Sequence, residues 1–317
     1  MNSFSHFSKP LNVFFMLLSA AAVWLAPALR ANAASIGKTF ASPEDAVRAL
    51  TTAVNNNDST ALAAIFGPRF DTLESPDPVQ EQNDIATFAE RLNESHHIEH
   101  TANNTCILEV GKDRWPFAIP IAQKGGSWFF DTEAGDDELL NRRIGRNELD
   151  ALKSVRVYVD AQREYASKDR NGDQVLQYAQ KLISSPGKKD GLYWPTGTDG
   201  DISPLGPFYA EAQGEGYFKK TGDAEALQPF HGYYFKILTR QDKHAPGGAY
   251  DYIINGNMIG GFALVAWPAE YGNSGIMTFI VNQQGRVYQK DLGPKTDKLA
   301  PDIKVYDPAP GWTLSRD

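Results

Sequence analysis

The chain has 317 residues, 42% of them hydrophobic and 22% charged, with a formal net charge of −8. That length and apolar content provide for two packed domains and exclude a disordered chain. An acidic balance without a basic stripe excludes nucleic acid as the expected partner.

Residues 1–33 read as a signal peptide: Lys9 in a polar start, an apolar run at 13–26, then the small residues of Ala31-Asn32-Ala33. No later segment is apolar for long enough to span a membrane. Cys106 is the only cysteine, so no intramolecular disulfide forms, and its apolar surroundings make it a small buried hydrophobe. Export without disulfides fits a periplasmic or secreted bacterial protein.

Ser42-Pro43-Glu44-Asp45 is a helix start, with a hydroxyl cap, proline in the first turn and acidic residues after it. Ala46, Val47, Leu50, Ala53 and Val54 follow at helical spacing. A second helix is predicted at 59–66 and a third at 83–93, where Ile85, Phe88, Ala89 and Leu92 share a face. Short strands are predicted at 105–110, 117–122 and 127–131. Helices followed by a curved sheet ending in Gly-Ser-Trp-Phe-Phe-Asp resemble the cone of nuclear-transport-factor-like and SnoaL-like domains. Such cones enclose a ligand cavity or serve as plain structural modules, and a carrier role requires a closed apolar cavity near Trp115, Phe117 and Trp128.

The charged residues 136–146 are the expected boundary between a cone-like domain, 34–140, and a second domain, 141–317. The second opens with the longest helical pattern, 147–168. Its stripe is Leu149, Leu152, Val155, Val159 and Ala166, with Tyr158 and Tyr165 at the edges. A shorter helix is predicted at 174–183. Residues 186–229, rich in Gly, Pro, Asp and Lys, form a long loop excursion, ordered rather than a linker.

Residues 230–293 are written as an antiparallel meander of five short runs. Tyr233, Phe235 and Ile237 fall on one face of the first run. Asn255-Gly256 suits a type I′ turn, and Gly260-Gly261 marks a bulge or a close backbone approach. Gly285 sits where a turn needs a left-handed residue. The middle strands are apolar on both faces, so each side needs a cover. Trp312 is expected to pin down the Pro-rich tail. The fold class is therefore α+β, helices plus a curved sheet and then a long helix on an antiparallel meander.

The phrases AQREYASKDRNGD, HGYYFKILT and HAPGGAYDYIINGNMIGGFALVAWPAEYG resemble a bacterial family numbered 2950 among domains of unknown function, across nearly the whole chain after residue 40. The resemblance carries no activity with it. The second half is also similar to the globular heads of pilin-like proteins, through the long helix, Gly232 to Phe235 and residues 268–279. Only a head fold is implied, because the helix lies mid-chain with a charged face.

Chemical signals are sparse. His96 and His100, if helical, share a face with metal-ligand spacing, but no acidic or thiol partner follows at a matching interval. Asp169-Arg170-Asn171-Gly172-Asp173 begins like a calcium loop, then puts Gln174 where glycine belongs and Gln180 where a bidentate glutamate belongs; a turn between helices is the simpler reading. His231, His244, Tyr250, Asp251, Trp267, Glu270 and Tyr271 gather polar and aromatic groups on strand ends and loops, a candidate binding rim. Edge covering and turn hydrogen bonds account equally for the same residues. No cofactor is expected. The leading expectation is a non-enzymatic envelope protein binding a protein or polymer; the alternatives are a small-ligand carrier using the N-terminal cavity, or a hydrolase using His231 or His244 beside a carboxylate.

Overall fold

The computed structural model describes residues 36–101, 104–196, 200–218 and 228–315. The presequence read at 1–33 lies outside them. Among the described residues no helix is long and apolar enough to cross a membrane. The architecture is α+β, with helices packed on antiparallel sheets.

Helix α1 (Pro43–Asn55) starts as its cap dictates, Ser42 Oγ accepting the Asp45 N–H at 3.1 Å. Helix α2 (Ser59–Phe66) is capped in the same way by Asp58. Helix α3 (Pro78–Glu94) begins earlier than its apolar spacing indicates, because Asp77 Oδ1 takes the N–H groups of Val79 and Gln80. The first sheet follows: β1 (His96–His100), β2 (Thr105–Val110), β3 (Trp115–Pro116), β4 (Ile121–Lys124) and β5 (Ser127–Phe130). Its order is β1-β2-β4-β5, with β3 also on β2.

The histidine cluster is strand, not helix. β1 pairs with β2 along its whole length, so His96 and His100 share a face through the two-residue period of a strand. Among the described residues no group of three or more His, Cys, Asp or Glu side chains converges to hold a metal. Leu50, Leu92, Cys106, Leu108, Ile121 and Phe130 form the centre of this first core, all buried, with Cys106 in the role its surroundings indicate.

Helix α4 (Thr132–Tyr165) runs for 34 residues, straight through the charged stretch expected as a boundary. Those charges reach back to the first layer: Arg69 pairs with Asp136, and Arg146 grips Asp84 at 2.8 and 2.6 Å. Gly135 lets α4 pass close to the chain before β4, since a Cβ there would sit 2.5 Å from Ile119 Cα. Farther along, the buried stripe is Leu152, Val155, Tyr158, Val159 and Tyr165. The tyrosines belong to its centre, while Leu149 is 68% exposed.

Residues 174–183 are not helical. Gln162 on α4 donates to Ala179 O at 2.9 Å and accepts Ala179 N–H at 2.8 Å, and Tyr178 N–H goes to Met258 O at 2.8 Å. Backbone groups that a helix would pair internally are taken by distant partners. The Asp169 loop is a turn, its carboxylate accepting the N–H groups of Asn171, Gly172 and Gln174, with extended chain rather than a helix after it. Within the excursion, helix α5 (Gly206–Glu215) carries Pro207 in its first turn and ends at the left-handed Gly216.

The second sheet contains β6 (Tyr233–Leu238). The short strands β7 (Arg240–Gln241), β8 (Tyr250–Asp251), β9 (Ile253–Ile254) and β10 (Asn257–Met258) follow it. Then come β11 (Ala263–Pro268), β12 (Met277–Asn282), β13 (Tyr288–Asp291), helix α6 (Thr296–Leu299) and β14 (Thr313–Leu314). The main sheet is ordered β14-β13-β12-β11-β6. The run at 250–254, expected inside it, forms side hairpins instead. β8 pairs with β7, and β9 turns through Asn255 and Gly256, both at positive φ, onto β10. The expected close approach is at Gly260, where a Cβ would lie 3.0 Å from Asp251 O. β11 is buried along its length, with α4 and α6 both packing on it. β14 adds the tail as an edge strand, and Trp312 packs against the core with Lys290 over its ring.

Candidate functional site

The register of β6 on β11 separates the expected rim into two groups. Leu238 pairs with Ala263 and Tyr233 with Pro268, so Trp267, Glu270, Tyr271 and His231 belong to one end of the sheet. His244, Tyr250 and Asp251 belong to the other, through the β7–β8 hairpin that follows Leu238. A six-residue strand holds such groups about 17–20 Å apart.

Each of these side chains has local partners. Trp267 is buried against Tyr234. Tyr250 Oη accepts Gln283 Nε2 at 3.2 Å, Asp251 pairs with Arg240 at 3.3 Å, and Tyr271 donates to Asp291 at 3.3 Å. Glu270 belongs to the turn closed by Ser274, whose Oγ accepts the Glu270 N–H. His244 Nδ1 lies 2.9 Å from Asp307 Oδ1 on an exposed turn. His231, at the positive φ of 48°, lies between carboxylates of two helices, 3.0 Å from Glu215 and 3.8 Å from Asp150. Glu215 Oε2 stands within ion-pair reach of that ring, yet outside hydrogen-bond geometry.

Neither histidine lines the principal cavity. That cavity, about 380 Å³, is walled by α1, α2, the chain leading into α3, α3 itself, the segment around Trp115–Ile119, and α4. Its volume lies within the range of about 300–1,000 Å³ typical of small-molecule sites. Residues far apart in sequence build it: Leu50 and Val54, Leu62 and Phe66, Phe70 and Leu73, Ile85 and Phe88, Phe117 and Ile119, and Leu139. Phe117 anchors the aromatic side, with ring centroids 4.9 Å from Phe88 and 6.2 Å from Phe66. Trp115 and Phe117, two of the three residues expected around a carrier cavity, line it. Trp128 does not, because its strand exchanges backbone hydrogen bonds with Phe40 on another side of the layer. The cavity is also open to solvent rather than closed.

The mouth is charged. Arg91 pairs with Asp113 at 3.0 Å, Arg146 with Asp84, and Arg142 with Glu138 at 2.7 Å while lying over the Trp115 ring. Arg143 is buried and donates to Leu73 O, Glu74 O and Asn273 Oδ1. Burial pushes the Glu81 carboxyl above its ordinary range, and the nearby Glu74 pushes the same way against the pull of Arg143. The arrangement is an apolar chamber beneath fixed polar groups. These lining elements converge only through tertiary packing, and among their residues only Trp115 and Phe117 carried a signal in the sequence.

A family model described as a protein of unknown function (DUF2950) matches residues 37–314. No curated protein and no solved structure matches the chain.

Proposed function

The chain belongs to the DUF2950 family of proteins of unknown function, and from that premise we propose that it is an exported, non-enzymatic protein that takes a small apolar-bodied molecule into its N-terminal cavity. The observation that carries this reading is the chamber of about 380 Å³ walled by Phe66, Phe88 and Phe117 beneath a charged mouth. A chamber of that size matches a small molecule better than a folded protein or a polymer, the leading expectation from sequence. Lys9, the apolar run at 13–26 and Ala31-Asn32-Ala33 support export to the periplasm or beyond.

The test is titration with the apolar fluorophore N-phenyl-1-naphthylamine, comparing the chain with its Ile85→Trp variant. Ile85 is a half-buried wall residue of α3, so the larger ring enters the chamber. Saturable fluorescence enhancement, weakened at least tenfold in the variant with an unchanged circular dichroism spectrum, is the expected result. Equal enhancement in both proteins removes the reading.

A further inference from the structure

The charges at the cavity mouth do not cancel evenly, and that imbalance defines a ligand class. Arg91, Arg142 and Arg146 are each matched to a carboxylate of their own: Asp113, Glu138 and Asp84. Arg143 is the remaining cation, and its donors are engaged by two carbonyls and the Asn273 amide. Set against it are Glu74 and Glu81. Among the described residues no lysine or arginine nitrogen lies within ion-pair distance of either carboxylate. An anionic head group would therefore have to displace a formed ion pair or a backbone carbonyl. A cationic head group meets two carboxylates without an ion-pair partner, the half-buried Glu81 and the exposed Glu74.

We propose that the cavity is selective for a primary amine or ammonium carried on an apolar chain, its tail against Phe88 and Phe117 and its cationic head between Glu74 and Glu81. This rests on the cavity reading above and adds the chemistry of the head group. Glu81 comes from the first turns of α3 and Glu74 from the loop just before it, so both are held at one corner of the mouth. Ser75, Asp84 and Arg143 also act on Glu81 there. Glu74 and burial both disfavour the charged form of Glu81, and a cation between the two carboxylates relieves their repulsion while replacing the hydration that Glu81 has lost. The net charge of −8 draws cations to the protein as a whole.

Three probes of one chain length isolate the head group: dodecylamine, dodecanol and dodecanoate, each kept below its micelle-forming concentration and titrated calorimetrically. The expected order is dodecylamine at least tenfold tighter than dodecanol, with dodecanoate weakest. The Glu74→Gln/Glu81→Gln double variant should bring the amine down to the alcohol and leave the alcohol unchanged. Should that variant fail to fold, added salt is the second readout on the unaltered chain: it weakens the amine several-fold and leaves the alcohol unaffected. Equal binding of all three probes, or dodecanoate binding tightest, overturns the proposal and leaves the cavity reading standing. Failure of every probe, or binding that Ile85→Trp does not weaken, overturns both together.

Discussion

Tyr217 donates its hydroxyl to Asp77 Oδ2 at 2.8 Å, joining the chain just after α5 to the residue that caps α3. The same oxygen accepts the Gly232 N–H at 3.0 Å, while Oδ1 holds the N–H groups of Val79 and Gln80. Asp77 is 1% exposed, a buried carboxylate stabilised by donors from three parts of the chain. Beside it Gln80 donates to Asn147 on α4, which donates to Ser274 O, both at 2.9 Å. Helices α3 and α4 and the turn after β11 are thus tied by one polar cluster between the apolar cores.

Asp77→Ala leaves four donors without their acceptor. An unfolding free energy lower by about 3–5 kcal/mol is expected, since buried unpaired groups cost about 1–3 kcal/mol each and do not add fully. Tyr217→Phe, which removes one donor and also the acceptor of the His231 N–H, should cost about 1–2 kcal/mol. Urea unfolding checks both, and an Asp77→Ala midpoint equal to that of the unaltered chain rejects the role given to this carboxylate.

Gly135 and Gly145 lie in the same helix and should respond in opposite directions. A Cβ at Gly135 would meet Ile119 Cα at 2.5 Å and Ala118 O at 2.6 Å, backbone that has no room to give. Gly135→Ala should destabilise by about 1–3 kcal/mol. Nothing lies within 4 Å of a Cβ at Gly145, so Gly145→Ala should stabilise by about 0.5–1 kcal/mol through helix propensity alone. Thermal melts of the two variants decide it.

Burial raises the Glu81 carboxyl above the ordinary 4.5, with Glu74 and Asp84 adding to the shift and Arg143 and the Ser75 N–H opposing it. The native state then holds this proton more tightly than the unfolded chain. Stability therefore falls as pH rises from the ordinary value through the raised one. Glu81→Gln should match the unaltered chain in acid, where both side chains are neutral, and exceed it at neutral pH. Denaturation midpoints measured across that range test the sign; a variant less stable at neutral pH than in acid, relative to the unaltered chain, contradicts it.

Asp190 should titrate anomalously low. Against the opposing effect of burial, the Lys181 ammonium and the N–H and hydroxyl of Ser185 hold its carboxyl down at about 2, below the ordinary 3.8. Its contribution to stability is present above the ordinary value and lost as pH falls through about 2. Carbon-13 NMR of the side chain should give a midpoint near 2, moving toward 3.8 when Ser185 and Lys181 are both replaced by alanine.

Local chemistry was legible wherever a few adjacent residues decide the outcome. Ser42-Pro43 starts α1, Asn255-Gly256 turns a hairpin, Gly285 takes its left-handed turn position, and the alternating runs of β6, β11 and β12 form strands. The misreadings share one cause. Residues 174–183 have a helical pattern, but Gln162 and Met258 claim their backbone groups. His231 and His244 lie near each other in sequence, but β6 carries the chain away between them.

The order of residues along the chain was enough to read an α+β class, the capping of its helices, and which residues are apolar enough to build two cores. Tertiary structure alone decided that α4 runs unbroken from one core to the other. It also decided that a chamber opens between Leu50 on α1 and Arg146 on α4, with Glu74 and Glu81 unmatched at its mouth. Capping and periodicity act over a few residues, so they are written in adjacent letters. A cavity is the space left between elements that meet only after they pack, and its charge balance depends on which arginine reaches which carboxylate across that space.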